Sequence, residues 1–337
     1  MSKSSRPDQI TVLGAGVIGL WQALRLARAG FAVRVMEASP QPFTSSASRL
    51  AGAMLAPDCE AESAPEIIRD LGRTSVALWR TVYPQLIERG TLVLASARDR
   101  HEIARHARLT ERHRALDGAQ ISELEPHLAD RFQDGLLFPD EAHMPTLAAL
   151  QALLDATRQA GCTVSFGHSW HDRDAAPGLL IDCRGIAARR DLASLRGVRG
   201  ERLLVRTPDV TLSRPVRLLH PRHPLYVVPW GDGRFVIGAT VIESEDDGPA
   251  TIRSMLELLG AAYTLTPAFA EAEILDVGAG VRPAYPDNVP RALVHENGRR
   301  IDVNGAYRHG FLLAPVLADA VLAHLQSGAA HPLIQRP

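Results

Sequence analysis

Gly14, Gly16 and Gly19 form a Gly-x-Gly-x-x-Gly run around Ala15, Val17 and Ile18, and Glu37 stands 18 residues (37 − 19) beyond the last glycine. Each position answers a need of dinucleotide binding. Gly14 permits a tight turn, Gly16 lets the main chain approach a pyrophosphate, and Gly19 lets a helix lie close on a strand. The N–H groups that open such a helix are unpaired and carry partial positive charge, so they accept phosphate oxygens. Glu37 offers a carboxylate to ribose hydroxyls and would repel a 2′-phosphate, which disfavours NADP. A glycine-rich turn without a ligand is the alternative. Arg282 is the second candidate. It precedes Pro283, which pushes it into extended backbone, and a guanidinium held there can grip a carboxylate with two parallel hydrogen bonds. A surface ion pair is its bland use.

Lys3 is the only lysine, and every other cationic side chain is arginine. Chemistry that needs an amine, such as a pyridoxal Schiff base or a P-loop lysine, is thereby excluded. Cys59, Cys162 and Cys183 form no CxxC pair and match no zinc spacing, so reduced thiols and no metal are expected.

Around these residues the pattern predicts a βαβ unit. Ile10 to Leu13 is a buried strand, Leu20 to Ala29 a helix closed by Gly30, and Ala32 to Met36 a second strand ending at Glu37. Residues 41–60 read as a loop, and Ile67 to Ile87 and Arg98 to Leu116 as helices. Thr146 to Ala160 is a helix with Leu147, Leu150, Leu153 and Leu154 on one face, followed by strands at Thr163 to Phe166 and Gly178 to Asp182. From Glu201 to Glu243 the chain alternates like antiparallel strands (Arg202 to Arg206, Val216 to His220, Leu225 to Pro229, Phe235 to Thr240), with a hairpin turn at Gly231-Asp232-Gly233. Ile252 to Tyr263 is a helix. A strand at Ile301 to Asn304 leads through a Gly-rich turn to a helix over Leu312 to Leu325, with Pro315 in its first turn. The cofactor domain is therefore expected to be discontinuous, built from 8–85, 144–200 and 276–330, with 86–143 and 201–275 forming a substrate domain. A chain of 337 residues accommodates both.

The net charge of −1 gives no attraction for nucleic acid or an anionic membrane. No run reaches the roughly 18 uninterrupted apolar residues of a membrane span. Met1 to Asp8 reads as a loose polar tail without a signal peptide's apolar core. A soluble, cytoplasmic protein is expected, with homo-oligomerisation left open. Glu60 and Glu62 are expected on a solvated face.

The run from Ile10 to Glu37, with Leu20, Ala23, Leu26 and Ala27 in its helix, resembles the extended FAD fingerprint of the D-amino acid oxidase superfamily. Residues Ser45 to Pro57 resemble the flavin-edge loop of its glycine oxidase branch. The likeness continues through Tyr226-Val227-Val228-Pro229, Gly238-Ala239-Thr240, Gly280-Val281-Arg282-Pro283 and Gly310-Phe311-Leu312-Leu313-Ala314-Pro315, in family order. Two departures stand out. Gly52-Ala53-Met54 replaces the usual Ala-Gly-Met, and Arg49 and Leu50 occupy positions where smaller residues are common.

The fold this resemblance implies is α/β, a Rossmann-type FAD-binding domain plus a smaller α+β substrate domain with an antiparallel sheet. It implies non-covalent FAD, since no cysteine follows Cys183. It also implies that Arg282 binds the substrate carboxylate, that Tyr226 assists, and that the backbone of Arg308 lies near the substrate amine. Beside the glycine run and Glu37, it assigns to the cofactor Ala38, then Ser45, Ser46, Ser48, Gly52 and Met54 of the loop. In mid-chain Val164, Cys183 and Gly185 join them. Near the end of the chain Arg282 and the turn Ala306, Tyr307, Arg308, His309, with Gly310, Phe311 and Leu312 after it, complete the set. The dipole of the last helix would then stabilise negative charge on the reduced flavin. The implied reaction oxidises an amine beside a carboxylate, glycine or a small amino acid or N-substituted glycine, by hydride transfer from Cα to flavin N5. Dioxygen is reduced to peroxide, and thiamine thiazole synthesis is a use for the imine. His143, His220 and His309 are base candidates read as structural or surface residues. Three alternatives stay open: an FAD-dependent amine dehydrogenase with another electron acceptor, an NAD-dependent dehydrogenase, and a non-catalytic flavin-binding protein.

Overall fold

A computed structural model describes residues 9–170, 178–220, 224–295 and 298–336. The expected tail from Met1 to Asp8 lies outside them.

Ile10–Leu13 is buried along its whole length as an interior strand of a seven-stranded sheet. On one side it pairs in parallel with Val33–Glu37, which pairs in turn with Thr163–Phe166; on the other it pairs with Leu179–Asp182 and, beyond that, Arg300–Asn304. Arg291–Val294 runs antiparallel on the far edge and Ile334–Gln335 closes it. Parallel strands need crossovers that cover both faces. Three helices supply that cover, Val17–Arg28, Thr146–Gln159 and Gly310–Ser327. Gly30 follows the C-cap of the first with φ +82°, a left-handed turn that favours glycine. In Thr146–Gln159, Leu150, Leu153 and Leu154 are buried, whereas Leu147 is 49% exposed and leaves the predicted apolar face.

Gly310–Ser327 begins two residues earlier than its sequence pattern suggests, which places Pro315 inside the helix, beyond the expected first turn. Proline has no N–H to give the Phe311 carbonyl one turn back. Trp79 Nε1 donates to that oxygen at 2.8 Å, and Ser75 Oγ donates to the next one, of Leu312. Trp79 also stacks on Phe311 with centroids 5.5 Å apart and meets Trp21 edge-on at 5.2 Å. The helix is long and apolar enough to cross a membrane by length and composition, but here it is a core element packed on Val17–Arg28.

The second sheet has eight strands in the order Glu273–Ala284, Arg196–Arg206, Arg234–Gly238, Leu225–Gly231, Val216–Leu219, Thr91–Ala95, Asp134–Phe138, Arg114–Asp117. All neighbours are antiparallel except Val216–Leu219 and Thr91–Ala95. Leu203, Val205, Phe235 and Ile237 on one face pack against Leu258, Ala262 and Leu265 of the helix Ile252–Leu265. The long strands Arg196–Arg206 and Glu273–Ala284 run in this sheet throughout, across the positions 200 and 276 at which the sequence pattern divides the chain.

Two predicted helices are shorter than expected. The first is split into Glu66–Gly72 and Ser75–Arg80 and cannot continue past Pro84, which lacks an N–H and disfavours helical backbone at Tyr83. The second is confined to His101–Leu109; Thr110 Oγ1 turns back to the His106 carbonyl, Arg112 takes φ +55°, and Arg114–Asp117 becomes an edge strand. The three cysteines are free and buried.

Candidate active site

A cavity of 460 Å³ runs from the glycine-rich turn, along residues 45–54, to the face of the second sheet turned away from the Ile252–Leu265 helix. At its first end Gly14 has φ +90°, and a Cβ there would lie 2.8 Å from the Cys183 carbonyl oxygen. A Cβ on Gly19 would overlap the Gly14 carbonyl oxygen, so Gly19 serves helix–strand packing and does not line the cavity. Gly16, Val17 and Ile18 do. Glu37 orders the turn: Oε2 accepts from Ala15 N at 2.7 Å and Oε1 from Ser39 N at 2.9 Å. Ser48 Oγ accepts from Val17 N at 3.1 Å, and Ser46 Oγ from Ser48 N at 3.2 Å. The serine-rich loop is thus tied to the helix N-terminus.

Ala38, Ser45, Gly52, Met54, Cys183 and Gly185 also line the cavity, as does the turn Ala306 to Leu312. Asn304 Nδ2 donates to the Gly185 carbonyl at 2.9 Å, and Tyr307 N to that of Pro283 at 2.9 Å. The first bond ties the last turn to the segment after Leu179–Asp182, and the second ties it to the second sheet. The first N–H groups of Gly310–Ser327 open on the cavity, and the N-cap His309 side chain does not cap them. Val164 is half-buried on the edge strand beside Val35 and does not line the cavity.

At the far end lie Tyr226, Arg282 and Arg308. Arg282 Nη1 donates to the Thr240 and Arg199 carbonyls at 3.2 and 3.4 Å. Among the described residues it has no carboxylate partner, and burial together with the neighbouring Arg308 pulls its pKa down to about 10. Its guanidinium lies across Gly200, where any side chain would collide with it. The Tyr226 hydroxyl is buried and without a partner among the described residues, and burial raises its pKa well above the usual value.

Sequence reasoning missed the acids here. Glu60 and Glu62 are not solvated: their side chains are 16% and 12% exposed. Glu60 Oε1 accepts from Arg308 Nη2 at 3.2 Å, and Oε2 lies 3.3 Å from His309 Nδ1. Burial works against its charge, but Arg308 and His309 outweigh it and hold the carboxyl far below the usual range. Arg308 is therefore an ion-pair residue of the cavity wall. Arg217, 2% exposed, donates to the Cys59 carbonyl at 2.8 Å and to Glu62, and its guanidinium carbon sits 5.2 Å from the Tyr226 ring centroid. The one legible signal was a charge inside the apolar strand Val216-Arg217-Leu218-Leu219, which needs a buried acid. His143 is fully buried and outside the cavity, whereas His309 lines it. No group of three metal-ligating side chains occurs among the described residues.

Residues 9–324 match the model of the DAO family, FAD dependent oxidoreductase. The chain belongs to this family. It is an FAD-dependent oxidoreductase, and the NAD reading falls. The cradle suits the cofactor on its own terms, with the N-termini of two neighbouring helices, Val17–Arg28 beside the glycine turn and Gly310–Ser327, both opening on the cavity. The family member of Rhizobium etli described as a thiamine biosynthesis oxidoreductase, ThiO, is 49% identical over 96% of this chain and 98% of its own length. The bifunctional protein ThiO/ThiG of Trichormus variabilis is 26% identical over 96% of this chain, which spans 54% of that longer protein. The crystal structure of glycine oxidase from Geobacillus kaustophilus superposes with a TM-score of 0.83 at 24% identity, covering 97% of this chain and 96% of that one. The α/β fold with its two large sheets is shared with that structure.

Proposed function

We propose that this DAO-family enzyme oxidises glycine, or a related small amino acid or N-substituted glycine, at the Cα–N bond. Bound FAD would take the hydride from Cα at N5 and return the electron pair to dioxygen as hydrogen peroxide. The amine proton goes to solvent, water adds across the resulting C=N bond, and an oxo acid and an amine leave. The observation that carries this reading is Arg282, a guanidinium in the cavity wall with no carboxylate of its own among the described residues. Such a group awaits an anion, and a fork fixes a carboxylate in one orientation. The unpartnered Tyr226 hydroxyl supplies a further donor. Glu60 holds the Arg308 and His309 side chains, which keeps the Arg308 backbone in place near the amine. The contribution of the protein is positioning and electrostatics, with no residue required to take a proton from Cα.

The proposal extends to the residues of the nucleotide cradle as FAD ligands, to the two-domain division, to a cytoplasmic location and to supply of the imine for thiamine thiazole synthesis, the pathway named for the Rhizobium relative. The test mixes purified yellow protein with glycine, sarcosine and D-alanine, first without air and then with it. Flavin bleaching followed by peroxide release is expected. Bleaching with no peroxide in air would move the electrons to another acceptor, and no bleaching by any carboxylated amine would end the proposal.

A further inference from the structure

The second departure of the flavin-edge loop, Arg49 and Leu50, lies at the corner where Leu50 lines the cavity. Leu50 packs on Gly278 and Gly280 of the second sheet, and Arg49 Nη2 lies 3.6 Å from Asp276 Oδ2. The same Asp276 oxygen accepts from Arg202 Nη2 at 2.7 Å. Arg202 lines the cavity and is 4% exposed. Its Nε and Nη1 are buried without a hydrogen-bond partner among the described residues. One half-exposed carboxylate is thus shared by two guanidinium groups, and the more deeply buried of them is only partly satisfied. Burial and the nearby Arg49 both disfavour its charge. A buried cation with unmet N–H groups is costly to leave as it is, and an arriving anion removes that cost.

The backbone places Arg202 on the same wall as Arg282. Residues two apart on a strand share a face, so Arg202 and Gly200 point the same way, roughly 7 Å apart along the strand. Gly200 pairs with Gly280, Arg202 with Gly278 and Gly238, and Arg282 lies over Gly200. The result is a floor of glycines with a cation at either end and Leu50 packed on it at Gly278 and Gly280. The two acids that line the cavity, Glu37 and Glu60, are committed elsewhere, to the nucleotide turn and to Arg308 with His309. A monocarboxylate such as glycine engages one cation and leaves the other unmet.

We infer that the substrate carries a second anionic group, a carboxylate on the nitrogen substituent or side chain of the amine, which Arg202 receives while Arg282 holds the carboxylate beside Cα. Substrates of this class are N-carboxyalkylglycines and acidic amino acids. The inference rests on the proposed use of Arg282, and the bond broken and the electron flow are unchanged.

The test titrates holoenzyme at constant ionic strength with acetate, malonate, succinate and glutarate, following the perturbation of the flavin spectrum. At least one dicarboxylate should bind tenfold or more tighter than acetate. In Arg202→Met that ratio should fall to near one. In Asp276→Asn, which frees Arg202 Nη2 from its competitor, the ratio should rise about threefold; this half-exposed position guards against the chance that Arg202→Met fails to fold. Equal affinity for acetate and every dicarboxylate in the wild type, or a preference that survives Arg202→Met, would overturn the inference. If acetate binds in a manner sensitive to Arg282→Lys and only the preference is missing, the inference alone falls. If no carboxylate perturbs the flavin, the proposed function falls with it.

Discussion

Arg282 and Lys at the same place would carry the same formal charge but not the same geometry. The guanidinium presents parallel donors to a carboxylate, whereas an ammonium is a compact point charge that also draws water. Arg282→Lys should therefore weaken kcat/KM for glycine by about 2 kcal/mol, roughly 30-fold, the scale of a lost charge-assisted hydrogen bond. The loss should fall mainly on KM, because the carboxylate is held alike before and during hydride departure. Steady-state peroxide release with flavin content held equal measures it, and an unchanged KM would remove Arg282 from the substrate. At this scale the sequence was legible where a motif fixed the surroundings, as Pro283 does for Arg282. Glu60 and Glu62 were opaque for a physical reason, with only the charge of Arg217 inside an apolar strand to hint at them. An acid in a polar segment looks the same whether solvated or buried, and the partners that bury these lie far along the chain, 248 residues away for Glu60 and Arg308 and 155 for Glu62 and Arg217.

Elements bring those distant residues together, and the first helix shows how narrow the tolerance is. A Cβ on Gly16 would come within 3.2 Å of Ser46 Oγ and 3.3 Å of Ser48 Oγ, the hydroxyls that tie the loop to the helix start. A larger, branched side chain there would push the loop away and fill the space over the N–H groups. Gly16→Val should give folded protein that purifies colourless, with thermal stability no longer raised by added FAD. Yellow protein with wild-type flavin content would contradict the pyrophosphate placement. The strand–turn–helix–strand pattern around this residue was readable to within a few residues, because a buried parallel strand and an amphipathic helix have distinct apolar periods. Where one charged stretch carried two elements, as from Arg98 to Leu116, periodicity merged them. The edge strand Arg114–Asp117 is defined by pairing with Asp134–Phe138, which no local window contains.

For the whole molecule, the buried ionisable groups set opposing limits on stability. Glu62 is held down to about 2: burial opposes its charge, but the bond from His106 and the Arg217 charge prevail. His143 is pulled down to about 4 by burial. Both folded-state values lie below the unfolded ones, so the stability they contribute is present at neutral pH and is lost as the pH falls through them. Glu141 acts in the other direction. It is 1% exposed, Oε1 accepts from the backbone N–H of Asp58 and Cys59 at 3.0 and 2.7 Å, and Oε2 is unpartnered among the described residues. Burial, with Asp58 and Glu60 nearby, raises its pKa to about 8. Its folded value exceeds the unfolded value of 4.5, so its contribution is fully present below that pH and is lost as the pH rises towards and through 8. Glutamine keeps an acceptor for the two N–H groups and never ionises. Glu141→Gln should raise Tm at pH 8 by about 2 °C, with the gain shrinking as the pH is lowered towards 5, while the acid side of the stability curve stays as in the wild type. Thermal melts across that range measure the difference. A Tm that falls at pH 8 would mean that the ionised carboxylate stabilises the Cys59 to Glu62 wall of the cavity, and the alkaline limit would then have to be sought at another residue.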